Sequence, residues 1–511
     1  MKQYSDLEFL RLSQWQRFCY KFVAFFCAIP HAFAGFFVNI GRTVKTWCLK
    51  FVDELRDIGG TFTNGDWKTK VSYLVMGFGN LSHGQILRGV MFLLFEAVFI
   101  FYMVTAGGYW LSMLPSLGKQ GPTVEYDPIY DYNYTVYHDN SFKILLYGVL
   151  TIFFIIALIY TWRLNVKQCK TINEILKKDG KLKRDKDDLR SMVDEQFYKT
   201  LLALPLTGIL IFTVMPIVFM ILVAFTNYDG AHNGYANSLF KWVGLENFNT
   251  LFSWQSAGGG QSYSATFGEI LTWTLLWAFL ATFTNYFLGM FVAMMINKKG
   301  IHLKKMWRTI LVMTVAIPQF ISLLYVSKMF ARNGLINLTL LDLGWISQPL
   351  PFWENAIWAR ITVIIINIWI GIPYLMLITT GILMNIPADL YESARIDGAN
   401  AWQQYRKITL PYMLFITGPY LLTSFTGNMN NFNVIYLLTG GGPTNVAASG
   451  AAGSVGHTDL LITWLFKITT GAESQYYLAS VVGIMVFVVV AVISLIVYNV
   501  LPSIKNEEDY Q

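Results

Sequence analysis

The chain contains 511 residues, of which 54% are hydrophobic and only 14% are charged. It is therefore too apolar for an ordinary soluble globular protein. The formal net charge of +7 would suit a nucleic-acid partner, but the distribution of Lys and Arg among the loops, given below, excludes that class. The four cysteines have no CxxC spacing, so neither a disulfide framework nor a zinc site is indicated.

Residues 1–88 form a basic N-terminal region with eleven Lys and Arg. Within it, residues 22–40 are long and apolar enough to cross a membrane, but Pro30 and His31 interrupt the run. Apolar residues continue at helical spacing on both sides of the run. This pattern favours a helix lying on the anionic inner leaflet, with a membrane span as the alternative. Residues 60–88 are predicted to be a basic linker punctuated by glycines.

The rest of the chain contains eight apolar runs of the length that a membrane span requires, about 20 residues. In chain order the predicted spans are 89–114, 143–164, 201–226, 268–296, 308–331, 358–383, 412–438 and 478–500. The sequence therefore predicts an all-α polytopic membrane protein with about eight transmembrane helices.

The segments between these spans differ in their content of Lys and Arg, the quantity that sets membrane orientation. Nineteen Lys and Arg lie in 165–199, 297–308, 386–411 and 501–511, and four lie in the alternating segments 115–142, 228–266, 332–356 and 439–476. The four basic segments are expected to lie in the cytoplasm, and so are both termini. The protein is expected in the plasma membrane. The predicted segments are 1–88, 89–226, a short outer loop at 227–267, a core at 268–500 and a tail at 501–511.

Two loops have distinctive compositions. Loop 165–199 mixes both charge signs densely and is predicted to be a solvated helical pair, with contact to a partner as the alternative. Loop 115–142 carries four acidic residues and several tyrosines. It is expected either to contact an extracellular partner or to be solvated surface.

Loop 384–411 is a polar island between two long apolar runs, and its pattern predicts a docking element. Pro387 suits the first turn of a helix, and the apolar spacing after it predicts a short amphipathic helix that includes Ala394. Gly398 can supply a backbone angle that other residues resist. A second short helix, 402–408, is predicted after that turn.

Polar groups inside three predicted spans indicate a ligand site. Asn428 and Asn431 share a helix face in a stretch with four asparagines. Amides offer a donor and an acceptor without charge, which matches sugar hydroxyls; hydrogen bonding between helices is the alternative. Gly371 and Tyr374 flank a proline in the sixth span, where the tyrosine ring can stack on a sugar or pack at a kink. Gln319, after a proline in the fifth span, is a weaker case.

No catalytic centre is predicted. The chain lacks a GxxxxGK[ST] phosphate loop, HExxH and paired carboxylates at metal spacing, so no catalytic residue, metal ligand or cofactor is assigned and ATP would have to bind to a separate subunit. Glu96 is the only carboxylate well inside a span. It is expected to contact a neighbouring helix while protonated, because a proton carrier would need a relay partner and none is evident.

Loop 384–411 resembles the cytoplasmic coupling loop of ABC-importer permeases. The family pattern is Glu-Ala-Ala, three residues, Gly, nine residues and Ile-x-Leu-Pro; the chain has Glu392-Ser393-Ala394, Gly398 and Ile408-Thr409-Leu410-Pro411 at the same spacings. Ser393 stands where the pattern has Ala. The resemblance covers roughly Ser82 to Val500 and is closest to the larger, MalF-like permease subunits for maltose and maltodextrin.

The resemblance implies the type I ABC importer permease fold and a set of partners. These are a second permease subunit, two ATPase subunits, an extracellular solute-binding protein and an oligosaccharide substrate. It also implies that one ATPase receives Glu392, Ser393, Ala394, Asp397 and Gly398. The family's best-known member has a large folded domain before the fourth span. This chain has only a short loop there, so any role of that domain in holding a binding protein does not carry over to it.

The resemblance further implies a sugar cavity halfway across the membrane. Gly371, Tyr374, Asn428 and Asn431 match sugar-contacting positions of the maltose permease. Gln319 replaces a serine there, and tyrosine and phenylalanine positions are occupied by the non-aromatic residues Val315 and Gly427. The identity of the sugar is therefore left open.

Two other functions stay as alternatives. An ion- or proton-coupled sugar carrier acting without an ATPase would need a titrating pair near Glu96. A membrane glycosyltransferase would need an acidic catalytic pair on one face, and the sequence offers none.

Overall fold

The computed structural model describes residues 41–178, 182, 185–233, 238–253, 261–298, 300–448, 454–471 and 474–500. The predicted run at 22–40 and the tail 501–511 lie outside the described residues. The described residues form two compact units. The N-terminal unit ends at Asn247, and the C-terminal unit begins at Phe248.

Seven helices among the described residues are long and apolar enough to cross a membrane, or eight if one bent pair counts as a span. The first four spans are Ile86–Met113, Ser141–Lys177, Phe197–Val223 and Tyr263–Asn297. The fifth is the bent pair Lys304–Ala316 and Gln319–Met329, and the last three are Ala356–Leu383, Ala401–Thr439 and Tyr476–Tyr498. The predicted all-α architecture with about eight spans is confirmed.

Shorter elements connect the spans. The helical ones are Trp67–Ser72, Phe78–Leu81, Asp185–Val193, Gly230–His232, Glu246–Phe252, Leu335–Asp342, Ala388–Ile396 and Leu461–Thr470. Two antiparallel strands, β1 (Thr123–Asp127) and β2 (Tyr132–Val136), pair with Glu125 opposite Tyr134. This hairpin was not predicted, although Val, Tyr and Thr alternate with polar residues on both sides of a turn, which is a strand signal.

The segment predicted as a linker at 60–88 is instead folded into the N-terminal unit. A surface helix occupies residues 41–64, and the short helices Trp67–Ser72 and Phe78–Leu81 follow it. Met76 is only 1% exposed. The prediction was wrong because the glycines that resembled linker residues allow close packing: a Cβ on Gly77 would lie 2.2 Å from the carbonyl oxygen of Gly89.

The second span holds this buried segment through one asparagine. Asn165 is fully buried; its amide nitrogen donates to the Ser72 carbonyl at 2.8 Å, and its oxygen accepts from the backbone N–H of Gly77 at 2.9 Å. The second span then continues to Lys177, and Asp185–Val193 follows. The helical pair predicted at 165–199 is therefore confirmed: the end of the second span is one helix, and Asp185–Val193 is the other.

The core of the C-terminal unit lies between the fourth, sixth and seventh spans. Trp277 is fully buried and packs in one cluster with Val363 of the sixth span and Val434 of the seventh. Beside this core, Asp459 is buried and its carboxylate pairs with the Lys467 ammonium at 2.7 Å. Burial raises the pKa of Asp459, while the nearby ammonium acts in the opposite direction.

Candidate functional site

The fifth span, predicted as one apolar run at 308–331, is broken. Lys304–Ala316 and Gln319–Met329 meet at 90°. Ile317 has extended backbone angles (φ −82°, ψ 126°), as expected for the residue before Pro318, because the proline ring disfavours the helical conformation there. Hydropathy could not show this, since both halves of the span are apolar.

The break opens a cavity against the sixth span. Its volume is about 440 Å³, and its lining includes three of the five predicted ligand residues, Gln319, Gly371 and Tyr374. The other lining residues are Thr314, Val315, Ala316, Ile317, Pro318, Ser322, Trp369 and Ile370. None of these described lining residues carries a charge. The cavity can therefore offer hydroxyl, amide and aromatic groups to a neutral polar molecule.

The two aromatic side chains of this cavity are only half covered by the described part of this chain. Tyr374 is 52% exposed and Trp369 is 51% exposed, although both lie within a membrane span. Exposed tyrosine and tryptophan rings can stack on a sugar ring while their O–H or N–H group donates a hydrogen bond.

Gly371 has a packing role beside the cavity. A Cβ at this position would lie 2.3 Å from the amide nitrogen of Asn285, so glycine lets the fourth and sixth spans approach closely. The sixth span remains helical through Pro373.

Two asparagines beside this contact were missed from the sequence. Asn285 and Asn367 are each 6% exposed, and the Oδ1 atom of Asn285 and the Nδ2 atom of Asn367 have no hydrogen-bond partner among the described residues. Their signal was an amide in the middle of an apolar span, where a polar group needs a partner.

Asn428 and Asn431 are not among the residues that line the cavity. The Asn428 amide donates to the Thr282 hydroxyl of the fourth span at 3.0 Å, and Asn431 donates to the Asn428 oxygen at 3.3 Å. Asn431 also accepts from the Val434 N–H at the start of the helix Phe432–Thr439. The hydrogen bonding between helices that was the alternative reading is therefore present, and both side chains remain half-exposed.

The predicted docking element forms a helix, Ala388–Ile396, termed the coupling helix below. The Gly398 N–H donates to the Arg395 carbonyl at 3.0 Å, and the Ala399 N–H donates to the Ala394 carbonyl at 2.9 Å. This pair of bonds closes a helix with a left-handed residue after its end, and Gly398 has φ +77°. The predicted helix and its glycine turn are confirmed.

The second short helix predicted at 402–408 is not separate. Ala401–Gln404 begins with a capping box between Asn400 and Gln403 and continues directly into the seventh span. The prediction was wrong because the helix does not end at Ile408. A π-helical turn, Tyr405–Thr409, joins Ala401–Gln404 to Leu410–Met429 and carries the helix past Pro411.

The coupling helix presents an exposed surface. Ile396 is 87% exposed and Leu390 is 47% exposed, and Trp402, at the start of the seventh span, is 67% exposed. Glu392, Ser393, Asp397 and Gly398 are exposed, and Ala394 is half-buried. The Tyr391 hydroxyl contacts the Thr409 hydroxyl at 2.9 Å, which ties the helix to the seventh span. Large apolar side chains left open on an anchored helix are typical of a contact surface.

Glu96 has a partner that was not predicted. Its carboxylate accepts from the backbone N–H of Met76 at 2.7 Å, so the contact is with the buried short segment rather than with the side chain of a neighbouring span.

A larger cavity lies in the N-terminal unit. It measures about 720 Å³ between the surface helix 41–64 and the second span, and most of its lining residues are charged. It contains none of the predicted ligand residues.

Comparisons with known proteins identify the family. The model of the "binding-protein-dependent transport system inner membrane component" family matches residues 285–506. The maltodextrin transport system permease protein MalC of Streptococcus pneumoniae serotype 4 is 33% identical over 452 residues, covering 86% of this chain and 97% of that protein. The galactooligosaccharides transport system permease protein GanP of Bacillus subtilis is 33% identical over 441 residues, covering 85% and 97%.

A solved structure, a bacterial ABC transporter involved in the import of the acidic polysaccharide alginate, aligns with a TM-score of 0.49 at 21% identity, covering 63% of this chain and 99% of the other. MalC and GanP, by contrast, are each matched over 97% of their own length. Members of their family are transport components rather than enzymes. The predicted type I ABC importer permease fold is accordingly confirmed. The chain belongs to the inner-membrane components of binding-protein-dependent transport systems.

Proposed function

We propose that this chain is one of two permease subunits of an ATP-driven importer for maltodextrin-like oligosaccharides. The observation that carries the proposal is the coupling helix: it is anchored to a span, yet its Ile396 side chain is 87% exposed. A partner ATPase binds ATP and Mg²⁺, and this chain binds no cofactor. Closure of the two ATPases moves the spans, which expose a central site alternately to each side.

The docking residues are Glu392, Ser393, Ala394, Asp397 and Gly398. The small side chains at 393 and 394 let the ATPase surface approach the helix closely. The absence of a Cβ at Gly398 does the same at the turn, because no described residue other than its chain neighbours lies within 4 Å of the Cβ position.

The substrate is a neutral oligosaccharide that passes the cavity lined by Gln319, Gly371 and Tyr374. The names of the two permeases, maltodextrin and galactooligosaccharides, agree with an uncharged lining. Asn428 and Asn431 contribute when the hydrogen bond between them opens, since at 3.3 Å it is a long bond that a sugar hydroxyl can replace.

Both termini lie in the cytoplasm of the cell, and a solute-binding protein delivers the sugar from outside. The count of nineteen Lys and Arg against four in the alternating loops supports this orientation. The functional segments are an interfacial region at 1–88, three spans within 89–226, an extracellular loop at 227–267, the core permease at 268–500 and the tail 501–511.

The docking proposal is tested with a matched pair of glycines. Gly398 (φ +77°) and Gly344 (φ +67°) both have left-handed angles and open space around the Cβ position, so Asp strains the backbone similarly at each. Gly398→Asp is expected to abolish maltodextrin uptake and ATPase stimulation in the assembled complex, while Gly344→Asp retains both. Normal uptake by Gly398→Asp, at equal membrane abundance, would refute docking at this turn.

The sugar site has a separate test. Tyr374→Ala removes a stacking ring worth about 0.5–1.5 kcal/mol, so maltodextrin uptake should need roughly two- to tenfold more sugar for half-saturation. Asn428→Ala combined with Asn431→Ala should lower uptake as well. If both variants leave uptake and sugar-stimulated ATP hydrolysis unchanged, the sugar does not use this site.

A further inference from the structure

The surface helix 41–64 has an apolar stripe that no described residue covers. Val44, Trp47, Phe51 and Leu55 follow at spacings of three and four, which places them on one helix face. They are 55%, 74%, 60% and 51% exposed. Cys48 lies in the same stripe and is also exposed. Such a continuous exposed stripe indicates a partner of its own.

The acidic edge of this helix, which borders the apolar stripe at Trp47, is attached to the second span. The Glu54 carboxylate pairs with the Arg163 guanidinium, and Asp57 pairs with Lys170 at 2.9 Å. Both pairs are partly solvated, so they contribute little energy. Their value is geometric, because they turn the acidic edge of the surface helix toward the second span and leave the apolar stripe open.

The attachment point marks the depth of the helix in the membrane. The second span is continuously apolar up to Tyr160, and Trp162, Arg163 and Lys167 then follow. Aromatic and basic residues at the end of an apolar run are typical of the boundary between hydrocarbon and headgroups. The Trp162 indole also donates to the Tyr73 carbonyl at 3.0 Å. The surface helix is therefore attached where the second span leaves the hydrocarbon.

The charge of the free edge matches an anionic surface. Lys45 and Arg56 are exposed and, by the helical spacing, lie at the edge of the apolar stripe that is away from Glu54. The Arg56 side chain also reaches the charged cavity beside the second span. Basic residues next to an aromatic and aliphatic stripe are the composition of helices that lie in the plane of an anionic bilayer surface.

We propose that residues 41–64 form an interfacial helix whose apolar stripe is buried in a leaflet of anionic phospholipid, with Lys45 and Arg56 at the lipid phosphates. Clamped through Glu54 and Asp57, it fixes the depth and rotation of the second span. The assignment to the inner leaflet rests on the proposed orientation, but the lipid contact itself does not.

A spin label at Cys48 tests the contact. The full chain, with Cys19→Ser, Cys27→Ser and Cys169→Ala, is placed in nanodiscs that contain phosphatidylglycerol. Collisions of the label with oxygen, which concentrates in lipid, are compared with those of a water-soluble Ni(II) chelate. The control is Thr46→Cys with Cys48→Ser, because residue 46 is exposed and lies nearly opposite residue 48 on the helix.

The label at Cys48 is expected to show a several-fold higher ratio of oxygen to Ni(II) collisions than the label at position 46. Lys45→Glu with Arg56→Glu should lower the Cys48 ratio in phosphatidylglycerol and leave it unchanged in phosphatidylcholine. Equal ratios at both positions would overturn the proposal. So would a Cys48 label that is open to Ni(II) in the chain alone and shielded only in the assembled transporter, since its partner would then be a protein. Neither readout depends on transport.

Discussion

The contact of Glu96 with Met76 explains why a carboxylate lies inside an apolar span. Met76 is buried, and its backbone N–H would lack a partner without the carboxylate oxygen 2.7 Å away. A buried donor left unpaired costs about 1–3 kcal/mol. The Glu96 side chain therefore has a structural role, which is to hold the short segment against the first span.

Replacing Glu96 separates this structural role from that of a proton carrier. Glu96→Gln keeps an oxygen that accepts from Met76, so uptake and thermal stability should remain close to those of the parent chain. Glu96→Leu leaves the Met76 N–H unpaired, and the free energy of unfolding should fall by about 1–3 kcal/mol. The measurements are thermal unfolding in detergent and maltodextrin uptake at several pH values. A folded Glu96→Gln protein that transports nothing at any pH would instead support a proton carrier.

Gly371 and Gly381 form a matched pair within the sixth span. A Cβ at Gly371 would lie 2.3 Å from Asn285 Nδ2, whereas a Cβ at Gly381 would meet nothing within 4 Å. Gly371→Ala should therefore destabilise the protein by about 1–3 kcal/mol through overpacking. Gly381→Ala should be neutral or stabilising by up to about 1 kcal/mol, because alanine favours the helix. Similar thermal unfolding of both variants would contradict the close approach of the fourth and sixth spans.

The candidate site could be predicted from the sequence only in part. Polar and small residues in apolar runs pointed to Gln319, Gly371 and Tyr374, and the structure lines one cavity with all three. The sequence could not decide which way an amide points. Asn428 bonds across to Thr282, and this depends on a residue far away in the chain, which local pattern does not reveal.

At the scale of elements, span positions were predictable and their interruptions were not. Hydropathy registers apolar content, so it located the fifth span. Hydropathy carries no information on the direction of the helix axis. Pro318 was therefore the one sequence signal of the 90° bend after Ala316. The short segment at 67–81 was missed for a similar reason, since Asn165, which holds it, is supplied by the second span.

Two glycines test how that short segment packs. Gly77 (φ +83°) and Gly84 (φ +80°) share a left-handed backbone, but only Gly77 has a close neighbour, the Gly89 carbonyl oxygen 2.2 Å from its Cβ position. Alanine should cost about 1–2 kcal/mol of backbone strain at either site. Gly77→Ala should cost about 1–3 kcal/mol more. Thermal unfolding of the purified variants measures the difference, and equal losses would show that the segment does not pack against the first span.

At the scale of the whole molecule, the C-terminal unit has an exposed apolar side chain beyond each end of the seventh span. On one side is the coupling helix with Ile396, and on the other is the loop after the seventh span with Val446. The side chains are 87% and 85% exposed. If the loop charges set the orientation, the first faces the ATPases and the second faces the solute-binding protein.

This orientation is tested by labelling from one side. In a chain without native cysteines, Ile396→Cys and Val446→Cys are equally accessible, so any difference in reaction with a membrane-impermeant maleimide reports the side of the membrane. Val446→Cys should react in intact cells, and Ile396→Cys should react only after permeabilisation. A reaction of Ile396→Cys in intact cells would place the coupling helix outside. No cytoplasmic ATPase could then reach it, and the drive for transport would have to come from elsewhere.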